Sequence, residues 1–192
     1  LWVIIISSII SIPTGLAVAI FLNEFAPKRS KTIRFIDLNI SNLAGVPSVI
    51  YGILGLSIFV RELNLGRSIL AGSFTLAIMA LPLIIISSKE ALKAVPDSIR
   101  LAALALGSTK WNCVRHHVLP VAMPGIITGI ILSTSRMIGE SAPLILMGAM
   151  SYIAFVPTGP MDQFTTLPIQ IYNWASRPQE EFQVTTAAAI SS

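Results

Sequence analysis

A single cysteine, Cys113, among 192 residues excludes an intrachain disulfide framework and a zinc cage built on paired cysteines. Charge is scarce as well: Asp, Glu, Lys and Arg make up 11% of the chain, against about 25% in soluble domains. The shortage is uneven. Residues 1–22, 38–60 and 68–88 hold no charged side chain at all, and a bilayer core asks for about 20 apolar helical residues at about 1.5 Å each. The chain therefore reads as all-α, a polytopic membrane helix bundle. The phosphate-cradling pattern GxxxxGK[ST] is missing too, since Gly107-Ser108-Thr109-Lys110 holds those residues in another order. No cofactor is expected on this chain, and any ATP hydrolysis belongs to another polypeptide. The net charge of +4 does not point to nucleic acid, because the basic residues lie between apolar spans, where they orient a membrane protein.

What is present divides into spans. Span 1 covers about 1–22 and is interrupted by Pro13 and Gly15; it is too long for a secretory leader and lacks a basic start and cleavage site. Span 2 is expected at 38–60, span 3 at 68–88 and span 4 at 121–146. The chain opens inside one apolar run and stops as another begins, so parts of both ends are expected to be missing. Residues 147–181 read as a connection punctuated by Pro and Gly, with 141–160 re-entrant or surface-lying. A last helix is expected from Ser176, where Ser176 and Gln179 have capping-box spacing. Connection 23–37 holds four Lys/Arg and connection 89–120 holds five, against Arg61, Arg67 and Arg177 on the alternate side. That bias places 23–37 and 89–120 in the cytoplasm.

Two places carry chemistry. In 89–120, Pro96-Asp97-Ser98 signals a helix start, Gly107 ends a short apolar helix over 99–106, and Ser108 or Thr109 caps a second one closing at Leu119-Pro120. Such short helices are marginal alone, so the leucine-bearing knob needs a cover, either its own bundle or a partner. Cys113, His116 and His117 lie close in sequence but lack a fourth ligand, and they read as surface residues rather than a metal site. In span 4, Arg136 and Glu140 are spaced i, i+4. On a continuous helix they share a small, polar stripe with Gly129 and Ser133, opposite Ile127, Ile131, Ile138 and Ile145. A charge at mid-membrane is costly, about 2.5–3.5 kcal/mol on insertion scales. Two uses fit it: an ion pair that fixes packing beside the Gly125/Gly129 GxxxG seam, or a pathway in which the Arg136 fork receives an oxyanion.

Residues 100–107, followed after eleven residues by Leu119-Pro120, resemble the EAA loop of ABC-importer permeases. Leu101 stands where that pattern has an acid, and His117 where it has an isoleucine; Ala102, Ala103, Gly107, Leu119 and Pro120 fit. Further stretches resemble the permeases of Pst-type phosphate importers: Asn42-Leu43-Ala44-Gly45-Val46-Pro47-Ser48, Gly52-Ile53-Leu54-Gly55-Leu56, Arg136-Met137-Ile138-Gly139-Glu140-Ser141-Ala142-Pro143 and Asn173-Trp174-Ala175-Ser176-Arg177-Pro178. The last of these, with Gly45-Val46-Pro47-Ser48, favours the PstA-like over the PstC-like type.

The resemblance implies a type I ABC-importer permease fold, with about five spans here and the last incomplete, as one transmembrane domain over 1–192. It implies a prokaryotic plasma (inner) membrane, and as partners a PstC-like permease, two PstB-like ATP-binding subunits and an extracytoplasmic PstS-like phosphate-binding protein. Leu101, Ala102, Ala103, Gly107, Leu119 and Pro120 would form the coupling loop, Arg136, Glu140, Ser133 and Gly129 the phosphate pathway. Asn173, Trp174 and Arg177 would lie in an outer contact loop. Other tetrahedral oxyanions, sulfate or molybdate, remain alternatives. An ion-coupled transporter is disfavoured by the single intramembrane carboxylate, Glu140, and the lack of an internal repeat. A membrane hydrolase is disfavoured because no histidine lies in any span to activate a serine.

Overall fold

The computed structural model describes residues 1–27, 30–149, 157 and 159–175, and every regular element among them is helical, as the composition predicts. The helices are α1 (Trp2–Ile20), α2 (Lys31–Ala44), α3 (Ser48–Gly55), α4 (Ile69–Lys93), α5 (Asp97–Ala105), α6 (Lys110–Cys113), α7 (Leu119–Gly139), α8 (Ala142–Met147) and α9 (Leu167–Ala175). Wider, π-type turns extend α1 through Phe21–Phe25 and α3 through Leu56–Glu62, and join α6 to α7 through Val114–Val118. Among the described residues three helical runs are long and apolar enough to cross a membrane: Trp2–Phe25, Ile69–Lys93 and Lys110–Gly139.

Four expected boundaries move. Span 2 is not one rod: the chain breaks at residues 45–47, between α2 and the run Ser48–Glu62. Pro47 forces the break, because it withholds a backbone donor and holds the preceding residue out of the helical region. Span 3 extends to Lys93. The second short helix of the 89–120 connection does not close at Leu119-Pro120 but runs on to Gly139. In a regular helix the Pro120 ring would strike the His116 carbonyl; the wider turn at Val114–Val118, closed by Leu119 N donating to Val114 O, comes directly before that proline. Span 4 ends at Gly139 rather than 146. Pro143 would meet the Gly139 carbonyl in a continuing helix, so residues 140–141 are non-helical and α8 restarts at Ala142. Residues 141–160 form no continuous helix where described: α8 is six residues long and stops at Gly148, whose φ is +97°. The helix expected from Ser176 lies outside the described residues.

The chain divides into two compact units, a terminal one of Leu1–Ser7, Pro47–Leu76 and the described part of Met137–Ser192, and a central one of Ser8–Val46 and Ala77–Arg136. The central unit is built on Leu92, Val95, Ala103, Cys113, Val118, Ala122 and Ile126, with Leu16, Ile20 and Ile99 packed on them. Its helices approach closely through glycine: a Cβ on Gly125 would come within 2.9 Å of the Ala91 Cβ, one on Gly15 within 2.7 Å of Ile84, and Gly129 faces Ser87. This is the small-residue packing that lipid-embedded helices use in place of a hydrophobic driving force. In the terminal unit Gly52 lies against Pro143 and Gly55 against Thr75, while Gly72 lies against Phe164. The first donors of α4 are met by a segment distant in sequence, Ile69 N donating to Asp162 O (3.0 Å) and Leu70 N to Pro160 O (3.0 Å).

Candidate functional site

The knob on residues 89–120 is built by punctuation. Pro96, with φ −57°, opens α5, and Asp97 sits in its first turn. Gly107 N donates to Leu104 O and Ser108 N to Ala103 O, which requires the left-handed φ of +82° at Gly107. Thr109 then caps α6, its hydroxyl accepting from Asn112 N (3.3 Å). The helix presents two faces. Ala103 is buried and Ile99 packs on the core, whereas Leu101, Leu104 and Leu106 are exposed, Leu101 at 68% and Leu106 at 87%. Ala102 and Pro120 are exposed and Leu119 half-buried. Cys113 is buried in the core while His116 and His117 are exposed, so the three do not converge.

Sequence reading passed over the most ordered polar group of the knob. Arg100, the residue before Leu101, turns inward. Its Nε and Nη2 donate to the two carboxylate oxygens of Glu24, at 3.3 and 2.8 Å. Nη2 also donates to Leu92 O (2.8 Å), and Nη1 to Val95 O (2.7 Å) and Asp97 Oδ1 (3.2 Å). Guanidinium has five N–H donors, and these are five acceptors. Glu24 stands in the wide turn that ends α1, its side chain 7% exposed, and also accepts from Asn23 Nδ2 (2.8 Å). The hydrogen-bonded Glu24 raises the affinity of Arg100 for its proton, burial working against it. The one signal in the sequence was Asn23-Glu24 directly after a charge-free run. A second pair, Lys89 with Asp37, ties α4 to α2.

The residues expected along a pathway are placed differently from one another. Gly129 lies in the seam with α4, and Ser133 is buried with its hydroxyl donated to Gly129 O (2.9 Å). Arg136 is exposed near the end of α7. Ile127, Ile131 and Ile138 are exposed on α7, as expected, while Ile145, also exposed, lies past the break on α8. Glu140 follows the last helical residue, its N–H on Met137 O (3.4 Å), so continuous-helix i, i+4 geometry does not govern it. It lines a largely apolar cavity of about 440 Å³ in the terminal unit, with Trp2, Met137, Leu144 and Phe164. Asn173 and Trp174 are on α9, both half-buried; Arg177 lies outside the described residues.

Residues 3–190 match the family described as binding-protein-dependent transport system inner membrane component. The chain belongs to that family and is a multi-pass membrane protein of it. Among its relatives are phosphate transport system permease protein PstA 1 of Mycobacterium tuberculosis (strain CDC 1551 / Oshkosh), 32% identical over 91% of this chain and 56% of that protein, and phosphate transport system permease protein PstA of Yersinia pestis, 33% identical over 92% and 59%. The probable ABC transporter permease protein YqgI of Bacillus subtilis (strain 168) is 32% identical over 90% of this chain and 62% of that protein. The chain thus spans a little over half the length of these relatives.

Proposed function

We propose that the chain is the pathway-forming permease subunit of an ATP-driven phosphate importer in a prokaryotic inner membrane. The observation that carries the reading is α5: a nine-residue helix held between two breaks, packed on one face and presenting Leu101 and Leu104 on the other, with Leu106 exposed at its C-terminal cap. A face of that kind is suited to a cleft on a separate ATP-binding subunit, and the names of the relatives supply the cargo. The partners in this reading are a PstC-like permease, two PstB-like ATP-binding subunits that bind the ATP, and a PstS-like phosphate-binding protein outside. Residues 23–37 and 89–120 face the cytoplasm, and Asn173, Trp174 and Arg177 the outer side.

The mechanism is alternating access without covalent chemistry on this chain. Closure of the ATP-binding subunits displaces α5, and the displacement opens the pathway. Arg136 offers the planar fork that suits an oxyanion, and Glu140, four residues on in sequence, offsets its charge so that the anion is released rather than held. The test is ATP-dependent uptake of labelled phosphate by the full-length protein with its partner subunits, in a host lacking phosphate import, with sulfate and molybdate as competitors. Uptake competed only by phosphate is expected; uptake of sulfate or molybdate instead would overturn the cargo, and no ATP-dependent uptake the transport reading itself.

A further inference from the structure

The five-donor Arg100 node lies where three elements meet: the wide turn closing α1, the last turn of α4, and α5. Each contributes acceptors of a different kind. From α1 comes the buried Glu24 carboxylate, in the two-oxygen, two-donor arrangement that fixes angle as well as distance. From the end of α4 comes the carbonyl of Leu92, which also accepts from Val95 N (3.4 Å), and from just beyond it the carbonyl of Val95; a cation at a helix C-terminus also suits the dipole. From α5 itself comes Asp97. Beneath the node Ala103, Cys113, Leu92 and Val95 share one packed cluster with Ile99 and Ile20, so the polar joint sits on an apolar one. Within the central unit no rotation of α5 against either neighbour leaves all five bonds intact.

We infer that Arg100, clasped by Glu24 and the carbonyls of Leu92 and Val95, is a positioning residue that makes α5 and the adjoining ends of α1 and α4 one mechanical piece. The inference rests on the permease reading above, in which α5 is the element pushed by the ATP-binding subunit. A push on α5 is then delivered to two spans together, instead of being absorbed by a hinge at residues 94–96. Arg100 itself faces away from the partner and is spent inside the chain; Leu101, next to it, faces out. The clasp therefore sets how far motion is transmitted and leaves recognition of the partner to the leucines.

The experiment uses the complete transporter in proteoliposomes, scoring phosphate moved per ATP hydrolysed. Arg100→Lys keeps the charge but cannot fill five acceptors. It is expected to lower that ratio about fivefold or more, with the KM for ATP as in wild type. The pair Glu24→Gln with Arg100→Gln, which leaves no buried charge unmatched, is expected to be just as uncoupled. A wild-type ratio in either assembled variant overturns the inference. A second measurement leaves the clasp untouched: spin labels on Phe21→Cys and Ser98→Cys, in a transporter whose native cysteines, Cys113 among them, are replaced, report the distance between the ends of α1 and α5. It is expected to stay fixed between the nucleotide-free and ATP-bound states, and a change of about one helical turn, ~5 Å, overturns the inference even if the Arg100 variants fail to assemble. A wild-type complex that imports no oxyanion would instead sink the permease reading on which the inference rests.

Discussion

Single positions separate the roles that a sequence runs together. Gly107 has nothing within 4 Å of where a Cβ would stand, yet its φ is +82°. Space is therefore not what selects glycine there; backbone conformation is. Gly107→Asn, which tolerates the left-handed region, is expected to keep melting temperature and coupled ATPase close to wild type. Gly107→Pro, whose ring holds φ near about −65°, is expected to abolish coupling while the protein still inserts; coupled activity in the proline variant would refute the cap. Arg136 is an exposed residue on α7, in contrast to the inward Arg100. Losing a charged hydrogen-bonding partner is worth about 1.5–3 kcal/mol, so Arg136→Gln is expected to cut phosphate uptake roughly tenfold or more with the complex intact. Loss of assembly instead would assign Arg136 to packing.

At the scale of helices, the α4–α7 seam is the sharpest test of packing. Gly125 meets Ala91 while Gly139, on the same α7, meets nothing within 4 Å. Gly125→Leu is expected to lower the detergent melting temperature markedly and Gly139→Ala hardly at all, and equal effects would show that the seam does not hold the helices together. Much of this level was legible beforehand. Periodicity and the lack of charge fixed the long apolar helices, and Pro96, Gly107 and Thr109 delimited the knob because their chemistry is local. The break at Gly45-Val46-Pro47 and the stop at Gly139 were signalled by prolines that a hydropathy window averages away. Glu24 was hidden for another reason. Its partner is 76 residues distant, and no local pattern announces a carboxylate destined for a buried guanidinium. Of the residues expected along a pathway, Gly129 packs against Ser87 of α4 and Ser133 is buried, a packing that a helical wheel cannot distinguish from a lining face.

For the whole chain, orientation is the most exposed claim. Nine basic residues in 23–37 and 89–120 against three on the alternate side predict that a cysteine placed at Lys31 and one placed at Asp162 react with impermeant maleimide from opposite sides of the membrane. Labelling of both from one side would reverse the topology of one end. The same chemistry has a native target. Cys113 is the only cysteine and is 3% exposed, under α5, so a permeant thiol reagent can reach it only when that region opens. Its modification rate is thus a clock that the unmodified protein already carries. It reads how often the helix lifts from the bundle in each stage of turnover, once the modified peptide is identified as the one that holds Cys113.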